Sequence, residues 1–401
     1  MDYPKLSSAD LKGKRVLLRA GFDVPIEDGK VQDTTRIEMV VPTMKHVLDA
    51  GASLILIAHQ GRPKGEVVAE MSQAPLVPVL EELLGTSVTF VESCASESAS
   101  VAAENLQPGE VLLLENLRFE KGEKSKDVSE RDALGKQLAS LAHVYVNDAF
   151  TNCHRDHSSM TSIPKFMDEK YMGLHVQKEV DGLSRVTSSP NGPVTLIISG
   201  LKMETKVPVI QQFLGRGDNI LVGGGVANTL LKAKGFDVCK SKYDEDFVEL
   251  AQQLMKESDN PDNATIRVPS DGIMASRSTE DAERVDLPID DMGGDMAMYD
   301  IGTATTKAYT DIIAASGTIV WNGPMGMYEV DGFSQGTRAI ADAVAAATAA
   351  GAVSIIGGGD TLDFHDKYDF PLDVYSFVST AGGAMLDFIS GKELPALKAL
   401  L

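Results

Sequence analysis

The sequence predicts an α/β protein built in two halves, and three observations carry that prediction. Short apolar, β-branched runs alternate with stretches of helical periodicity, the pattern of strands buried in parallel sheets. Glycine clusters follow three runs of the second half: Gly223-Gly224-Gly225 after Ile220-Leu221-Val222, Gly357-Gly358-Gly359 after Val353-Ser354-Ile355-Ile356, and Gly382-Gly383 after Phe377-Val378-Ser379. A breaker cluster, Ser188-Ser189-Pro190-Asn191-Gly192-Pro193, divides the alternation near the middle.

In the first half, Arg15 to Ala20, Ser53 to Ala58, Val111 to Leu114 and Val144 to Val146 read as strands. Pro42 opens a helix that ends near Gly51, an N1 proline and a C′ glycine, and Pro75 to Leu84 reads as helical. Tyr171 to Ser188 reads as one helix, with Val176, Val180, Leu183 and Val186 at helical spacing, and could serve as an arm between the halves. In the second half Val194 to Ile198 and Thr318 to Trp321 are strands. Lys256 to Asn263 reads as loop, Ser334 as the N-cap of a helix to Ala349, and Asp387 to Leu401 as a terminal helical or tail segment.

The 401 residues suffice for two domains with separate cores, and 43% hydrophobic with 24% charged residues is an ordinary globular balance. A net charge of −21 argues against a nucleic-acid partner. It fits a cytoplasmic protein, and any positive charge for an anionic ligand must be concentrated locally. Cys94, Cys153 and Cys239 have no paired spacing, so a reducing compartment is expected. Met1 to Lys5 holds no apolar leader core, and no apolar run reaches membrane-spanning length.

Arginine and histidine recur just after the first-half strands: His59 and Arg62, then Arg118, then His154 and Arg155. In a parallel sheet these positions share one edge, the edge at which open α/β sheets bind ligands. Guanidinium groups gathered there suit a small polyanion such as a phosphorylated acid, because arginine binds phosphate and carboxylate in bidentate fashion. Any one of them alone also reads as a solvated loop charge. A metal reading of Cys153, His154 and His157 is disfavoured, because Arg155 sits among them and no second ligand cluster is near.

In the second half, the glycines before Asp360-Thr361 fit a phosphate cradle at a helix N-terminus, with Asp360 near a metal ion or its waters. Taken alone the stretch equally fits a tight turn with a capping aspartate. Lys202 and Lys206, after the Val194 to Ile198 strand, either face a nucleotide's phosphates or lie on the surface.

Five segments, in their order and spacing, resemble the phosphoglycerate kinase family along nearly the whole chain: Ala58-His59-Gln60-Gly61-Arg62-Pro63; Leu114-Glu115-Asn116-Leu117-Arg118-Phe119; Val146-Asn147-Asp148-Ala149-Phe150 with His154-Arg155; Val320-Trp321-Asn322-Gly323-Pro324-Met325-Gly326; and Ile356-Gly357-Gly358-Gly359-Asp360-Thr361. The resemblance implies two doubly wound, Rossmann-like parallel-sheet domains: 1–172 for phosphoglycerate and 191–386 for nucleotide. A hinge helix would span 173–190, and a tail, 387–401, would return to the first domain. It implies reversible phosphoryl transfer from 1,3-bisphosphoglycerate to ADP, giving 3-phosphoglycerate and ATP with Mg²⁺, by a monomer whose domains close.

By that resemblance Gly21, Phe22, Asp23, Arg36, His59, Gln60, Gly61, Arg62, Arg118, His154 and Arg155 bind phosphoglycerate, and Arg36 and Lys202 stabilise the transferring group. Lys202, Lys206, Gly224, Gly225, Asn322, Pro324, Glu329, Gly358, Gly359, Asp360 and Thr361 hold the nucleotide, Asp360 lies at the metal, and Gly382 and Gly383 form an anion nest.

Three departures stand out. The family's Arg-x-Asp-x-Asn is here Arg19-Ala20-Gly21-Phe22-Asp23, so an expected carboxylate is missing at 21 and an acid replaces an amide at 23. Residues two apart on an extended segment point the same way, so Asp23 is expected to take over the hydrogen bond to the substrate hydroxyl. Ser199-Gly200-Leu201 stands for Gly-Gly-Ala and is expected to crowd the nucleotide loop. Ala381 stands for a glycine and is expected to weaken the nest where that position needs positive φ. Two rival readings remain. One is a dinucleotide-dependent oxidoreductase, from Gly223-Gly224-Gly225-Val226-Ala227-Asn228 with Asp244 downstream; the other is a non-catalytic relative, from Gly21.

Overall fold

The apolar runs assemble into two six-stranded parallel sheets in a computed structural model that describes residues 3–188 and 190–401. Met1 and Asp2, from the segment read above for a leader, and Ser189, from the breaker cluster, lie outside the described residues. The chain forms two units, one of residues up to Val180 with Glu393–Leu401, the other Asp181–Lys392.

The first unit's sheet consists of β1 (Arg15–Ala20), β2 (Ser53–Ile57), β3 (Val88–Val91), β4 (Val111–Leu114), β5 (Val144–Asp148) and β6 (Glu169–Met172). Their order is β3-β4-β2-β1-β5-β6, all parallel. Both faces are covered, which is why these strands read as unbroken apolar runs. Val16, Leu18, Leu54, Leu56, Val111, Leu113, Val144 and Val146 fill one core, and Leu17, Ile55, Ile57, Leu112 and Tyr145 are also fully buried. Truncating one of these, for example Leu56→Ala, costs about 2–5 kcal/mol of stability.

The second unit's sheet consists of β7 (Val194–Ile198), β8 (Asn219–Val222), β9 (Thr265–Arg267), β10 (Thr318–Asn322), β11 (Val353–Gly357) and β12 (Phe377–Ser379). Its order is β9-β8-β7-β10-β11-β12, again parallel. That is the 3-2-1-4-5-6 order of a doubly wound nucleotide-binding sheet, and the first sheet is a permutation of it. In each sheet the chain runs out one way, then starts again beside its first strand. The resulting crevices lie between β1 and β5 and between β7 and β10, at the carboxyl ends of the strands.

Several element readings change. Tyr171 to Ser188 is not one helix: Glu169–Met172 is β6, and the helix is Leu174–Ser188. Gly173 marks the break, since a Cβ there would fall 2.2 Å from Asp148 Oδ1. Lys256 to Ser258 are the last turn of the helix Val248–Ser258 rather than loop. Ser334 does not cap its helix; its hydroxyl donates to Asp331 O at 2.7 Å. Within 387–401, Asp387–Ile389 finish the helix Gly383–Ile389 of the second unit. Glu393–Leu401 belong with the first unit, where Ala396 N donates to Cys153 O at 3.1 Å. The sequence reading also missed β3, β9 and a small antiparallel sheet of Asp271–Ala275, Val285–Pro288 and Ala297–Ile301.

Candidate functional site

Parallel pairing brings the arginine-bearing loops to one edge of the first sheet. A cavity of about 170 Å³ there is lined by Gly21, Asp23, Arg36, His59, Arg62, Arg118, Thr151, Asn152 and Arg155. Gly21 and Asp23 share the cavity side of the extended loop after β1, while Phe22 between them turns into the core and is fully buried. Phe22 therefore supports the site from behind. Gln60 and Gly61 do not line the cavity either. Gln60 clamps the first loop, accepting from Val24 N at 3.2 Å and donating to Val24 O. Gly61 N donates to Asp23 Oδ1 at 2.9 Å, and its carbonyl accepts from an Arg118 NH1 at 2.6 Å. His154 is outside the lining, although its neighbour Arg155 is in it.

The cations are crowded. Burial first, then Arg19 and Arg155, lower the pKa of Arg118 to about 10. Among the described residues, the buried Nε atoms of Arg118 and Arg155 have no hydrogen-bond partner. Buried donors are normally paired, so the two guanidinium groups are incompletely satisfied by the protein alone. Burial raises the Asp23 pKa, but His59, Gly61 N–H and Arg36 outweigh it and hold the carboxylate below its usual range. Arg36 also donates to the Asp23 carbonyl.

Behind the cavity lies a buried polar chain that the sequence reading missed. Arg19 is fully buried, with Nε 3.1 Å from Ser159 Oγ and NH2 3.0 Å from His59 Nδ1. Ser159 in turn donates to the buried Glu123. An arginine inside the apolar run Val16-Leu17-Leu18-Arg19-Ala20 was the available signal, because a buried charge needs a partner. Thr151 and Asn152 carried no such signal, being uncharged residues of a loop read for its histidine and arginine.

The carboxyl edge of the second sheet is built largely from backbone. Gly358 follows β11 with φ 105°, and a Cβ there would lie 2.5 Å from Asn322 Nδ2. Only glycine fits both demands. The helix Gly359–Lys367 starts at once, so the first-turn N–H groups of Gly359, Asp360 and Thr361 have no intrahelical acceptor. Asp360 is exposed in that turn. Thr361 is buried as a brace: its hydroxyl accepts from Gly323 N at 2.8 Å and donates to Gly357 O at 3.1 Å.

Lys206 donates to Asn322 Oδ1, and Asn322 Nδ2 donates to Gly357 O at 2.7 Å, so three strand ends are tied together. Burial lowers the Lys206 pKa to about 8, with Asp360 opposing. Gly382 joins this edge, a Cβ there lying 3.9 Å from Gly358 Cα, and Gly383 begins the next helix. Among the described residues no group of three or more His, Cys, Asp or Glu could hold a metal ion. The exposed Asp360 carboxylate beside free first-turn N–H groups is a donor set compatible with Mg²⁺, a hard cation that takes few protein carboxylates.

Other expected nucleotide residues are placed differently. Lys202 lines a hollow of about 370 Å³ with Leu201, Glu204, Tyr243, Asp244, Asp246 and Phe247. Gly224 and Gly225 pack closely on neighbouring loops: Gly224 N donates to Met325 O at 3.0 Å, and a Cβ on Gly225 would lie 3.0 Å from Leu201 Cα. Pro324 is buried, its carbonyl accepting from Ser199 Oγ at 2.6 Å. The Ser199 side chain thus turns into the loop's own packing, and Leu201 is exposed. Glu329 is exposed. Ala381 does not have positive φ, so its Cβ causes no strain there. The glycine trio 223–225 follows β8, the second strand of its sheet, whereas a dinucleotide fingerprint follows the first. The oxidoreductase reading loses its motif.

The family model for phosphoglycerate kinase matches residues 6–392. A phosphoglycerate kinase of Bifidobacterium adolescentis is 41% identical over 394 residues, covering 98% of each chain. One of Picosynechococcus sp. is 41% identical over 396 residues, covering 98% of this chain and 97% of its own. The solved phosphoglycerate kinase of Coxiella burnetii superimposes with a TM-score of 0.89 at 36% identity, covering 100% of this chain and 99% of its own. That of Pyrococcus horikoshii OT3 gives 0.83 at 31%, covering 99% and 98%. With motifs, both sheets and whole-length similarity in agreement, this chain belongs to the phosphoglycerate kinase family.

Proposed function

We propose that the chain catalyses reversible, Mg²⁺-dependent phosphoryl transfer between 1,3-bisphosphoglycerate and ADP, with 3-phosphoglycerate held at the first sheet and nucleotide at the second. The observation that carries the reading is the convergence of Arg36, Arg62, Arg118 and Arg155 on one cavity in a chain of net charge −21. A site that concentrates cations against such a background is built for a small polyanion.

Phosphoryl transfer asks the protein for position and charge stabilisation more than for covalent chemistry. Arg62, Arg118 and Arg155 bind the phosphate and carboxylate of phosphoglycerate. Arg36 and Lys202 carry the charge that develops on the equatorial oxygens of the group in transit. Asp23 accepts the hydrogen bond of the substrate hydroxyl, replacing the carboxylate that Gly21 lacks. Lys206, Gly358, Gly359 and the first turn that follows hold the nucleotide phosphates, and Asp360 holds Mg²⁺ or its waters. Held there, Mg²⁺ would supply positive charge that offsets the phosphates. In-line transfer requires the two bound ligands to meet with water excluded, because water would hydrolyse the acyl phosphate.

A coupled assay for ATP-dependent turnover of 3-phosphoglycerate tests the activity. Turnover is expected, and its absence in folded protein favours a non-catalytic relative. Asp23→Ala is expected to raise the KM for 3-phosphoglycerate or lower kcat; both unaltered would remove Asp23 from the site.

A further inference from the structure

We propose that Arg19, held by Glu123 through Ser159, is a positioning residue that fixes His59 as the neutral tautomer protonated on Nε2 and so orients the Asp23 carboxylate. The argument is one of donors and acceptors. Arginine has donors only. Its NH2 lies 3.0 Å from His59 Nδ1, so Nδ1 must accept and the ring proton must sit on Nε2. Nε2 faces Asp23 Oδ2 at 3.5 Å, while Asp23 Oδ1 takes Gly61 N–H at 2.9 Å. Both oxygens of Asp23 are therefore steered from the cavity wall, one by a main-chain donor and one by His59.

Arg19 itself is held from behind. Its Nε donates to Ser159 Oγ at 3.1 Å. Ser159 can accept there because its single hydroxyl proton goes to Glu123 Oε1 at 2.7 Å, and its backbone N–H goes to Oε2 at 2.8 Å. Tyr145 OH donates to Ser159 O at 2.7 Å and pins the serine backbone. Arg19, Tyr145, Ser159 and Glu123 are all fully buried, so this chain of bonds is shielded from water and each member has a fixed donor or acceptor role. Glu123 supplies the negative charge that a buried guanidinium needs.

The charged groups facing His59 are Arg19 and Arg118, which oppose its protonation, and Asp23, which favours it. Burial and the two guanidinium groups prevail, and the imidazole pKa falls to about 3. An exposed histidine in an anion site strengthens binding as it protonates near pH 6.5. Here His59 stays neutral through that range, and its role is to present one N–H to Asp23.

Histidine side-chain NMR of the intact, ligand-free chain decides the tautomer, with the His59 signals assigned by their loss in His59→Gln. The expected result is a protonated Nε2 and an unprotonated Nδ1, unchanged from pH 5 to 8. A proton on Nδ1, or titration within that range, overturns the proposal. Ser159→Ala removes the acceptor that holds Arg19. It is expected to mix the tautomers and to raise the KM for 3-phosphoglycerate about tenfold, the scale of one charge-assisted hydrogen bond, with kcat little changed. A folded Ser159→Ala protein with an unmoved His59 spectrum also overturns it. The KM arm rests on reading the cavity as the phosphoglycerate site; the tautomer arm does not. A moved tautomer with an unmoved KM upholds the lock and refutes that substrate reading.

Discussion

At the carboxyl edge of the first sheet the donors are side chains, four arginines and a histidine around one small cavity. At the corresponding edge of the second sheet they are mainly main-chain N–H groups on glycine turns, with one half-buried lysine tied to Asn322. The contrast matches the ligands assigned to each. A small acid with a phosphate at one end and a carboxylate at the other is met by guanidinium forks, whose planar geometry selects those groups. A nucleotide polyphosphate that arrives with Mg²⁺ has part of its charge already offset. Close backbone approach then matters more than net positive charge.

Variants that strike one edge and spare the other sharpen this contrast. The largest effect is expected from Arg36→Ala, which removes a charge assigned to the group in transit. kcat should fall about 10²–10³-fold, as when one transition-state donor is removed, with the nucleotide KM nearly unchanged. Steady-state kinetics on both substrates checks this, and an equal rise in both KM values at full kcat would contradict it. Next in size, Arg118→Ala should raise the KM for 3-phosphoglycerate about 10–100-fold, since hydrogen bonds to charged groups contribute about 1.5–3 kcal/mol.

At the second edge, Gly358→Ala forces a Cβ into a φ of 105° and to within 2.5 Å of Asn322 Nδ2. Backbone strain of about 1–3 kcal/mol should raise the nucleotide KM about tenfold or more, leaving 3-phosphoglycerate binding alone. Gly382→Ala serves as its control. φ there is −87° and the nearest atom to a new Cβ is 3.9 Å away, so a small change is expected.

The smallest effect is a pH dependence. Lys206 is a base whose pKa is lowered from 10.5 to about 8. Its cationic form, which favours a polyphosphate, dominates below that value and is lost as pH rises through it. The nucleotide KM of the chain should therefore climb between pH 7 and 9. Lys206→Arg, charged throughout, should flatten the climb even if it binds less well.

Much of this was legible in the sequence because strand burial leaves an unmistakable trace. Arg15–Ala20 carries the boundaries expected of it, since a strand covered on both faces is mostly apolar, here Val16-Leu17-Leu18 and Ala20 with the buried Arg19 as the exception. The arginine loops were legible for a related reason: charges placed just past such runs can only gather at the sheet edge. Weaker elements left less trace. Thr265–Arg267 is an edge strand of alternating exposure, and the antiparallel sheet around Asp271–Ala275 packs on a small methionine-containing cluster rather than on a long apolar run. The glycine trio 223–225 shows the limit in the other direction. Its composition suggested a ligand cradle, and the structure adds a second reason for glycine at 224 and 225, because neighbouring loops pack against them. Ala381 promised strain that its backbone does not show, because its φ is not positive.

Titration calorimetry on paired variants tests the division of labour most directly. Arg62→Ala and Lys206→Ala would each be titrated with 3-phosphoglycerate and with Mg-ADP. The account predicts that the first variant loses affinity for 3-phosphoglycerate alone and the second for Mg-ADP alone. Loss of both ligands by either variant, or of neither by both, would contradict it.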